Sequence, residues 1–156
     1  MRVKTLYFDI DGTLLDDNRP KPALAHGAFE KAVRQAGFQR LVCVSNVLSI
    51  AEFLAEMGKP PDRWQFVFDL CRGVFLDQAW FRQATTFVPD PNRRAQYIDF
   101  SGDWWYVDDM AASFLARGVE KEVFEVHRGE RILVPTPYGD GSDILDWLKR
   151  TGRVLA

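Results

Sequence analysis

Two aspartates one residue apart follow an apolar run near the amino terminus, in the segment Asp9-Ile10-Asp11-Gly12-Thr13. Side chains at positions i and i+2 of an extended chain point the same way, so both carboxylates can face one pocket. Two like charges held that close are unfavourable unless a cation or a shared proton relieves them. Mg²⁺ prefers oxygen ligands of this kind, while Gly12 permits a sharp turn and Thr13 offers donors to an anion. The segment therefore predicts metal-assisted phosphoryl transfer.

A calcium loop of the EF-hand type also opens with alternating acids, but the spacing here excludes it. With Asp9 as position one, the glycine stands at position four where position six is required. Position twelve is Pro20, where a glutamate is needed. A plain turn after an edge strand, capped by Asp9, needs no metal, and the segment alone leaves that alternative open.

Two further apolar runs also end in polar side chains. Ser45 and Asn46 follow one of them, and Asp108 and Asp109 follow the other. Short apolar runs closed in this way are typical of strands buried on both faces of a parallel sheet. Ligands of such sheets collect beyond the carboxyl ends of the strands, so these groups are expected near Asp9. The structural alternatives are a helix cap at Ser45 and an acidic pair that favours a helix dipole.

The elements that position these residues are predicted from hydrophobic periodicity and from Gly and Pro breakers. Short apolar or β-prone runs predict strands at residues 3–8, 41–44, 104–107, 123–126 and 131–134. Apolar residues at helical spacing predict helices at residues 23–36, 48–57, 63–71 and 110–116, and a terminal helix from Ser142. Residues 72–83 are expected to be irregular or helical, and residues 15–22, 89–92 and 135–141 to be loops. Strands that alternate with helices predict an α/β fold with a mostly parallel, Rossmann-like central sheet.

Composition narrows the classes of function. A chain of 156 residues suits one domain, here taken as residues 1–156. A formal charge of -2 gives no basic field for phosphate backbones, so nucleic acid is not the expected partner. Cys43 and Cys71 lack metal-type spacing and are expected to be buried, reduced thiols. Without a signal peptide or an apolar stretch of about 20 residues, the expected location is the cytoplasm, with no membrane partner.

The run Leu6-Tyr7-Phe8-Asp9-Ile10-Asp11-Gly12-Thr13-Leu14-Leu15 resembles the first motif of the haloacid dehalogenase (HAD)-like superfamily of phosphohydrolases. That motif is an apolar strand followed by Asp-x-Asp-Gly-Thr. The resemblance implies that Asp9 is the nucleophile that forms an aspartyl-phosphate, whereas Asp11 protonates the leaving oxygen and then activates water. Both roles are physically reasonable, because a carboxylate nucleophile divides hydrolysis into two displacements and one neighbouring acid/base serves each.

The second and fourth motifs of the superfamily have counterparts after the other two apolar runs. The resemblance implies that Ser45, followed by Asn46, binds the transferring phosphoryl group, and that Asp108 binds the metal. Asp109 is assigned to the water shell of the metal or to orienting nearby groups. The expected Mg²⁺ site consists of four carboxylates: Asp9, Asp11, Asp108 and Asp109. The expected phosphate-binding residues are Gly12, Thr13, Ser45, Asn46 and Arg94.

The third motif is where the sequence departs from the superfamily pattern. The superfamily uses a Lys or Arg to neutralise the nucleophile and the phosphate, and no Lys occurs between Lys59 and Lys121. An Arg must therefore take this role. Arg93 is the first candidate, with Arg94 second, because both follow a probable helix start shortly before the fourth motif. Arg82 and Lys59 come after them.

The spacing of the motifs implies that there is no large cap domain. The stretch between Thr13 and Ser45 has room for one flap and one helix, and the stretch from Asn46 to Asn92 holds little beyond core elements. The chain is therefore identified as resembling a small capless (C0-type) member, with a three-layer α/β/α sandwich as its expected fold. Without a cap, recognition is expected from the flap at residues 14–22, from the middle segment or from a neighbouring subunit. The last of these leaves a homo-oligomer open.

The function that these residues predict is Mg²⁺-dependent hydrolysis of a phosphomonoester through an aspartyl-phosphate. A small-molecule phosphomonoester is the expected substrate, with a phosphoprotein as the alternative. Two other functions stay open at this point. One is an inactive HAD-fold protein that binds or regulates, since a fold does not establish turnover. The other is a phosphotransferase, which the missing cap disfavours because water must be kept from the aspartyl-phosphate.

Overall fold

In the computed structural model, which describes residues 2–47, 55–58 and 62–153, five parallel strands form a central sheet. The strands in these ranges are, in chain order, β1 (Lys4–Phe8), β2 (Leu15–Asp16), β3 (Arg19–Pro20), β4 (Arg40–Cys43), β5 (Thr85–Phe87), β6 (Asp103–Val107) and β7 (Ile132–Leu133). The sheet order is β5-β4-β1-β6-β7, while β2 and β3 form a separate antiparallel hairpin. The strand β1 is therefore central.

Both faces of the sheet are covered, which explains why its strands are apolar at successive positions. All five residues of β1 are buried. Leu6 and Phe8 point into one hydrophobic cluster and Tyr7 into the other. Complete burial of a side chain such as Phe8 contributes about 1.5–3 kcal/mol. The alternation of β1 between two cores makes this a three-layer, Rossmann-like arrangement.

The helices in the described ranges are α1 (Ala28–Gln35), α2 (Arg63–Leu70), α3 (Gln78–Ala84), α4 (Ala111–Phe114), α5 (Gly118–His127) and α6 (Ser142–Arg153). Short 3₁₀ segments cover Pro22–Leu24 and Pro91–Tyr97. Buried residues of α1, α2, α3 and α6 belong to the cluster that contains Phe8, whereas α4 and α5 pack against the cluster that contains Tyr7. No helix among the described residues is long and apolar enough to cross a membrane.

A buried lysine at the start of the central strand β1 joins two helices to the sheet. Lys4 Nζ donates hydrogen bonds to the carbonyl oxygens of Ala36, at 2.6 Å, and Thr151, at 3.0 Å. Ala36 caps the carboxyl end of α1, and Thr151 lies in the last turn of α6. A cation at helix carboxyl ends satisfies carbonyl groups that have no partner within the helix. This explains a charged residue inside an apolar strand.

Most elements predicted from the sequence are present. The strands predicted at residues 3–8, 41–44 and 104–107 agree with β1, β4 and β6 to within one residue, and the terminal helix begins at Ser142 as predicted. The predicted strand at residues 131–134 is the short β7, and the predicted helix at residues 63–71 is α2. Residues 48–54 of the predicted helix 48–57 lie outside the described residues.

Two expectations for the elements were wrong. Residues 123–126 belong to α5 rather than to a strand, and Val123 and Phe124 of this helix pack against the cluster that contains Tyr7. The helix predicted from residue 23 begins only at Ala28, because His26 and Gly27 have φ values of 56° and 75°. The expectation for residues 72–83 agrees with the structure, in which α3 covers Gln78–Ala84, and β5 follows at residues for which no element was predicted.

Candidate active site

The carboxyl ends of β1 and β6 lie side by side and place their following residues at one edge of the sheet. Phe8 is in register with Val107, and the Asp9 amide donates to the carbonyl oxygen of Val107 at 3.1 Å. The Asp108 amide donates to the carbonyl oxygen of Leu133 at 3.2 Å, which extends the β6–β7 pairing by one residue. Parallel strands that end at the same level therefore bring Asp9 and Asp108 together.

Three carboxylates form a tight cluster at this edge. Asp9, Asp108 and Asp109 each present an oxygen, and these oxygens all lie within 4.8 Å of one another. Asp9 and Asp108 are buried, and Asp109 is partly buried. This cluster does not include Asp11, although Asp11 had been expected among the metal ligands. The Asp11 side chain is exposed and instead lines the cavity above the cluster.

Arg94 is the basic residue of the site. Its side chain is 2% exposed, and Nη1 donates to Asp108 Oδ2 at 2.8 Å and to Asp9 Oδ1 at 3.2 Å. Nε donates to the carbonyl oxygen of Pro91 at 2.9 Å, and the guanidinium carbon lies 3.9 Å from the centre of the Phe114 ring. Burial lowers the pKa of Arg94, but Asp108 and Asp9 more than offset this, so its pKa is raised and it stays charged.

The structure brings Arg94 to the carboxylate cluster, and not Arg93, which had been the first candidate for the catalytic arginine. The Arg93 side chain is 70% exposed, and its nearest carboxylate is that of Asp90, with Nε 3.8 Å from Oδ2. Successive side chains of a 3₁₀ segment point about 120° apart, since there are three residues per turn. Only one of two neighbouring arginines can therefore face the sheet edge. In the segment Pro91–Tyr97, which kinks at Arg93, that residue is Arg94.

The turn after β1 positions the carboxylates instead of presenting free donors. The Thr13 hydroxyl lies 3.3 Å from Asp9 Oδ2 and 3.3 Å from Asp109 Oδ1, and it accepts a hydrogen bond from the Asp109 amide at 3.0 Å. The Gly12 and Thr13 amides donate to the carbonyl oxygens of Leu15 and Ile10. The expected phosphate-binding role of Gly12 and Thr13 is therefore not supported, because their donors are already engaged within the turn.

Gly12 is required at its position for two reasons. Its φ is +77°, and a Cβ atom built there would lie 2.2 Å from Asp109 Oδ2. We expect Gly12→Ala to lower the free energy of unfolding by about 1–2 kcal/mol through left-handed backbone strain alone. It should also displace Asp109 from the cluster and weaken divalent-cation binding about tenfold, the loss typical of a disturbed ligand shell. Urea unfolding and a Mg²⁺ titration measure the two effects.

Gly37→Ala is a matched control for this substitution. Gly37 has φ +84°, and an added Cβ would meet nothing within 4 Å. The control should therefore show the backbone strain but unchanged affinity for the cation. Equal cation affinity in the two variants would contradict the positioning of Asp109 by Gly12.

Ser45 and Asn46 reach the same cavity from the end of β4. Ser45 is buried, and its Oγ accepts a hydrogen bond from the Val47 amide at 3.3 Å. That contact does not prevent the hydroxyl from donating to a bound anion, and the beginning of the helix that Ser45 was expected to cap lies outside the described residues. Asn46 is exposed. The cavity has a volume of about 190 Å³ and is lined by Asp9, Asp11, Ser45, Asn46, Arg94, Asp109, Met110 and Phe114.

The pKa values of the clustered carboxyl groups depend on their burial and on the fact that only one guanidinium, that of Arg94, lies beside them. Burial and the neighbouring Asp108 raise the pKa of Asp9 to about 8, although Arg94 opposes the shift. Burial also raises the pKa of Asp108, against the opposing effects of Arg94 and the Tyr106 hydroxyl. Burial and Asp109 raise the pKa of Asp11. Three ionised carboxylates and one guanidinium would carry a net charge of -2, since -3 and +1 sum to -2. A bound dication would balance this charge.

Several residues of the site were not found from the sequence. The Tyr106 hydroxyl donates to Asp108 Oδ2, and the Met110 amide donates to Asp108 Oδ1 at 2.8 Å, so the carboxylate is fixed through both oxygens. Tyr106 is two residues before Asp108 in a strand, and strand alternation offered a signal for this contact. Phe114 packs against Arg94 from α4, but nothing in its sequence position distinguishes it from a core residue.

The arrangement unites a buried carboxylate, a fixed guanidinium, a set of hard oxygen ligands and an exposed second carboxylate around one small cavity. With a bound dication, such a site could hold a tetrahedral anion beside a carboxylate and balance the charge of both. This chain has no significant match among protein-family models, curated proteins or solved structures.

Proposed function

We propose that this protein is a Mg²⁺-dependent phosphomonoester hydrolase that works through an aspartyl-phosphate on Asp9, as a small capless HAD-like enzyme. One observation carries the proposal: Asp9, Asp108 and Asp109 cluster within 4.8 Å while Arg94 contacts two of them. A structural ion pair needs one carboxylate for one guanidinium. A third acid and an open cavity have no structural purpose that the surrounding contacts reveal.

The donor set fits Mg²⁺. Carboxylate oxygens are the ligands that this small, hard cation prefers, and Asp9, Asp108 and Asp109 supply three of them from two strand ends. When bound, Mg²⁺ would neutralise the carboxylates and the oxygens of the transferring phosphoryl group. Arg94 would remain beside Asp9 and Asp108 and supply a permanent positive charge, because guanidinium groups do not lose their proton in this pH range.

The first chemical step belongs to Asp9. A carboxylate oxygen of Asp9 attacks phosphorus in line, the bond between phosphorus and the ester oxygen breaks, and the phosphoryl group is transferred to Asp9. Arg94 Nη1 already holds Asp9 Oδ1, and this orients the carboxylate for the attack. Thr13 contacts Oδ2 of the same carboxylate. The nucleophile is therefore fixed through both of its oxygens before the substrate arrives.

Asp11 is suited to the proton transfers. Its raised pKa favours the protonated form that donates to the leaving oxygen. In the second step the ionised Asp11 accepts a proton from water, the oxygen of that water attacks phosphorus, and inorganic phosphate leaves Asp9. Asp11 lines the cavity and lies outside the cluster of three carboxylates. Its carboxyl group is therefore not needed as a metal ligand and can give up or accept a proton.

Cation binding should release a proton. Asp9 has a pKa of about 8 in the absence of metal, so at pH 7 it is mostly protonated in the folded protein. Mg²⁺ requires the ionised form, and we expect about one proton to be released at pH 7 and fewer above pH 9. Calorimetric titration in two buffers of different ionisation enthalpy measures this number. Asp9→Asn should reduce the release to what the raised pKa of Asp108 contributes, and a release in this variant as large as that of the wild type would contradict the assignment.

The proposal is tested with purified protein, Mg²⁺ and a panel of small phosphomonoesters. Acid quenching during turnover should trap a phosphoryl adduct, which mass spectrometry should locate on Asp9. Hydrolysis without an adduct on Asp9 would contradict the aspartyl-phosphate. A panel left intact, including a phosphopeptide, would contradict the hydrolase. If Mg²⁺ still bound in that case, the alternative of a binding or regulatory protein would be favoured.

A further inference from the structure

A second cleft adjoins the catalytic cavity. It has a volume of about 520 Å³, and it shares Asp11, Asp109 and Met110 with the smaller cavity. Apart from Gly12, the remaining lining comes from two separate parts of the chain, the β2–β3 hairpin and the loop before α6. The two spaces are therefore neighbours, and the exposed carboxylate of Asp11 lines both of them.

The position of Asp11 determines which part of the substrate lies in this cleft. In the proposed reaction Asp11 gives its proton to the leaving oxygen, so the leaving group must lie on the side of the catalytic cavity that Asp11 faces. This step rests on the proposed function. A third cavity of about 400 Å³ also borders Phe114 and is lined by Arg93 and Arg117, but Asp11 does not line it. The larger cleft is therefore the leaving-group site.

Both walls of this cleft are held by the backbone. The hairpin turns through Asp17 and Asn18, whose φ values of 51° and 62° are those of a tight two-residue turn. The loop on the other side is fixed at both ends. The Thr136 amide donates to Asp143 Oδ2 at 2.8 Å, and the Asp140 carbonyl oxygen accepts from the Ala23 amide at 2.8 Å. The cleft is thus preformed, and its lining can select a ligand.

The lining is acidic on one wall and aromatic on the other. Asp16 and Asp17 line it from the hairpin, and none of the described residues that line it is Lys or Arg. Tyr138 lines the opposite wall with 82% of its surface exposed, and its φ of 54° holds a large side chain in a conformation that such residues rarely adopt. Met110, 50% exposed, adds a second apolar surface beside Asp11.

We propose that the leaving group of the substrate is a ring-bearing alcohol or phenol that carries an amine and no second anionic group. The ring packs against Tyr138 and Met110, and the ammonium faces Asp16 and Asp17. Asp109 belongs to the cation cluster and Asp11 to proton transfer, so these two hairpin carboxylates are the ones left to recognise a cation. A leaving group with a phosphate or carboxylate meets repulsion from the same side chains.

The test compares three phosphomonoesters of one scaffold: 4-(2-aminoethyl)phenyl phosphate, 4-ethylphenyl phosphate and 4-(2-carboxyethyl)phenyl phosphate. The two-carbon spacer keeps the phenol leaving group nearly constant. We expect kcat/KM to be about tenfold higher for the amine than for the carboxylate at low ionic strength, with the neutral ester between them, because exposed charge pairs have effects of this size. Added salt should reduce the ratio.

Two double variants with the same net charge test whether Asp16 and Asp17 cause the difference in kcat/KM between the amine and the carboxylate ester. Asp16→Asn combined with Asp17→Asn should bring the ratio close to one. Glu122→Gln combined with Glu125→Gln removes the same net charge from exposed positions on α5 and should leave the ratio unchanged. Tyr138→Ala should lower kcat/KM for all three aryl esters severalfold, while 2-aminoethyl phosphate, which has no ring, should be little affected.

Each outcome separates the two proposals. If neither these esters nor any member of the wider phosphomonoester panel is hydrolysed, the proposed function is wrong, and the leaving-group site, which rests on it, is wrong as well. Hydrolysis with no preference for the amine, or with a preference that survives in the hairpin double variant, overturns the leaving-group site alone. Equal loss of the preference in the α5 double variant also overturns it, because the effect would then come from net charge.

Discussion

Replacing Asp9 by Asn is expected to abolish phosphomonoester hydrolysis and, at the same time, to stabilise the metal-free protein at pH 8. The amide cannot act as the nucleophile, so we expect activity to fall by at least about 10⁴-fold, comparable to removal of a nucleophile in other covalent mechanisms. The gain in stability arises because Asp9 is nearly completely buried beside Asp108, and its ionisation is unfavourable in the fold. An asparagine keeps the shape and removes that charge.

The sign of the pH dependence follows from the two pKa values of Asp9. In the unfolded chain the pKa is near its ordinary 3.8, and in the folded protein it is raised to about 8. The folded state therefore holds the proton more tightly than the unfolded state. This favours folding fully below about pH 4 and is lost as the pH rises towards 8. The loss is on the order of a few kcal/mol, shared with the neighbouring carboxylate.

Urea unfolding in the presence of EDTA at pH 5 and pH 8.5 measures this effect. The free energy of unfolding of the wild-type protein should be lower at pH 8.5 than at pH 5 because Asp9 ionises. In Asp9→Asn most of the decrease that Asp9 causes should be absent. Asp146→Asn, an exposed substitution on α6, is the control and should follow the wild type. Mg²⁺ should restore wild-type stability at pH 8.5 and do little for Asp9→Asn. If the wild-type protein had the same free energy of unfolding at pH 5 and pH 8.5, the raised pKa of the buried Asp9 would be contradicted.

The sequence was sufficient to predict that Asp9 and Asp108 meet, but not that Asp11 lies outside their cluster. Asp9 and Asp108 each follow an apolar strand, and parallel strands that end at one level must bring such residues together. The basic partner was a different problem. Arg93 and Arg94 are adjacent and chemically identical, and the kink of the 3₁₀ segment decides which of them is buried. Pro91 is buried and Phe114 packs against the Arg94 guanidinium, and no local pattern in the sequence reveals either contact.

The remaining differences arise in the same way, from tertiary contacts that override local preference. Valine-rich residues 123–126 favour a strand locally, yet they form a helix because Val123 and Phe124 pack against the core from one face. Tyr138 lies in a segment that the sequence predicts to be a loop. Its place in the leaving-group cleft depends on where α6 and the segment Pro22–Leu24 hold that loop.

Removing the guanidinium of Arg94 is expected to be the most destabilising single change in the site. Arg94→Met leaves Asp9 and Asp108 buried without a cation, and breaking a buried pair in this way costs about 3–5 kcal/mol. The loss should be largest at pH 8.5 and smaller at pH 5, where the proton on Asp9 removes one of the two charges. Arg93→Met, at the exposed neighbour, should change stability by less than about 0.5 kcal/mol.

A double-mutant cycle distinguishes the charge of Arg94 from its packing against Phe114. If Arg94 acts through the charge of Asp9, then Arg94→Met should cost clearly less in an Asp9→Asn background than in the wild type, by about 1–3 kcal/mol at pH 8.5. If it acts through the aromatic contact, the cost should be the same in both backgrounds. Arg94→Lys keeps the charge but cannot reproduce the fixed geometry that joins Pro91, Asp9 and Asp108, so it should recover part of the stability and little of kcat. Recovery of both would mean that a point charge is all the site requires, and that orienting the nucleophile is left to Thr13.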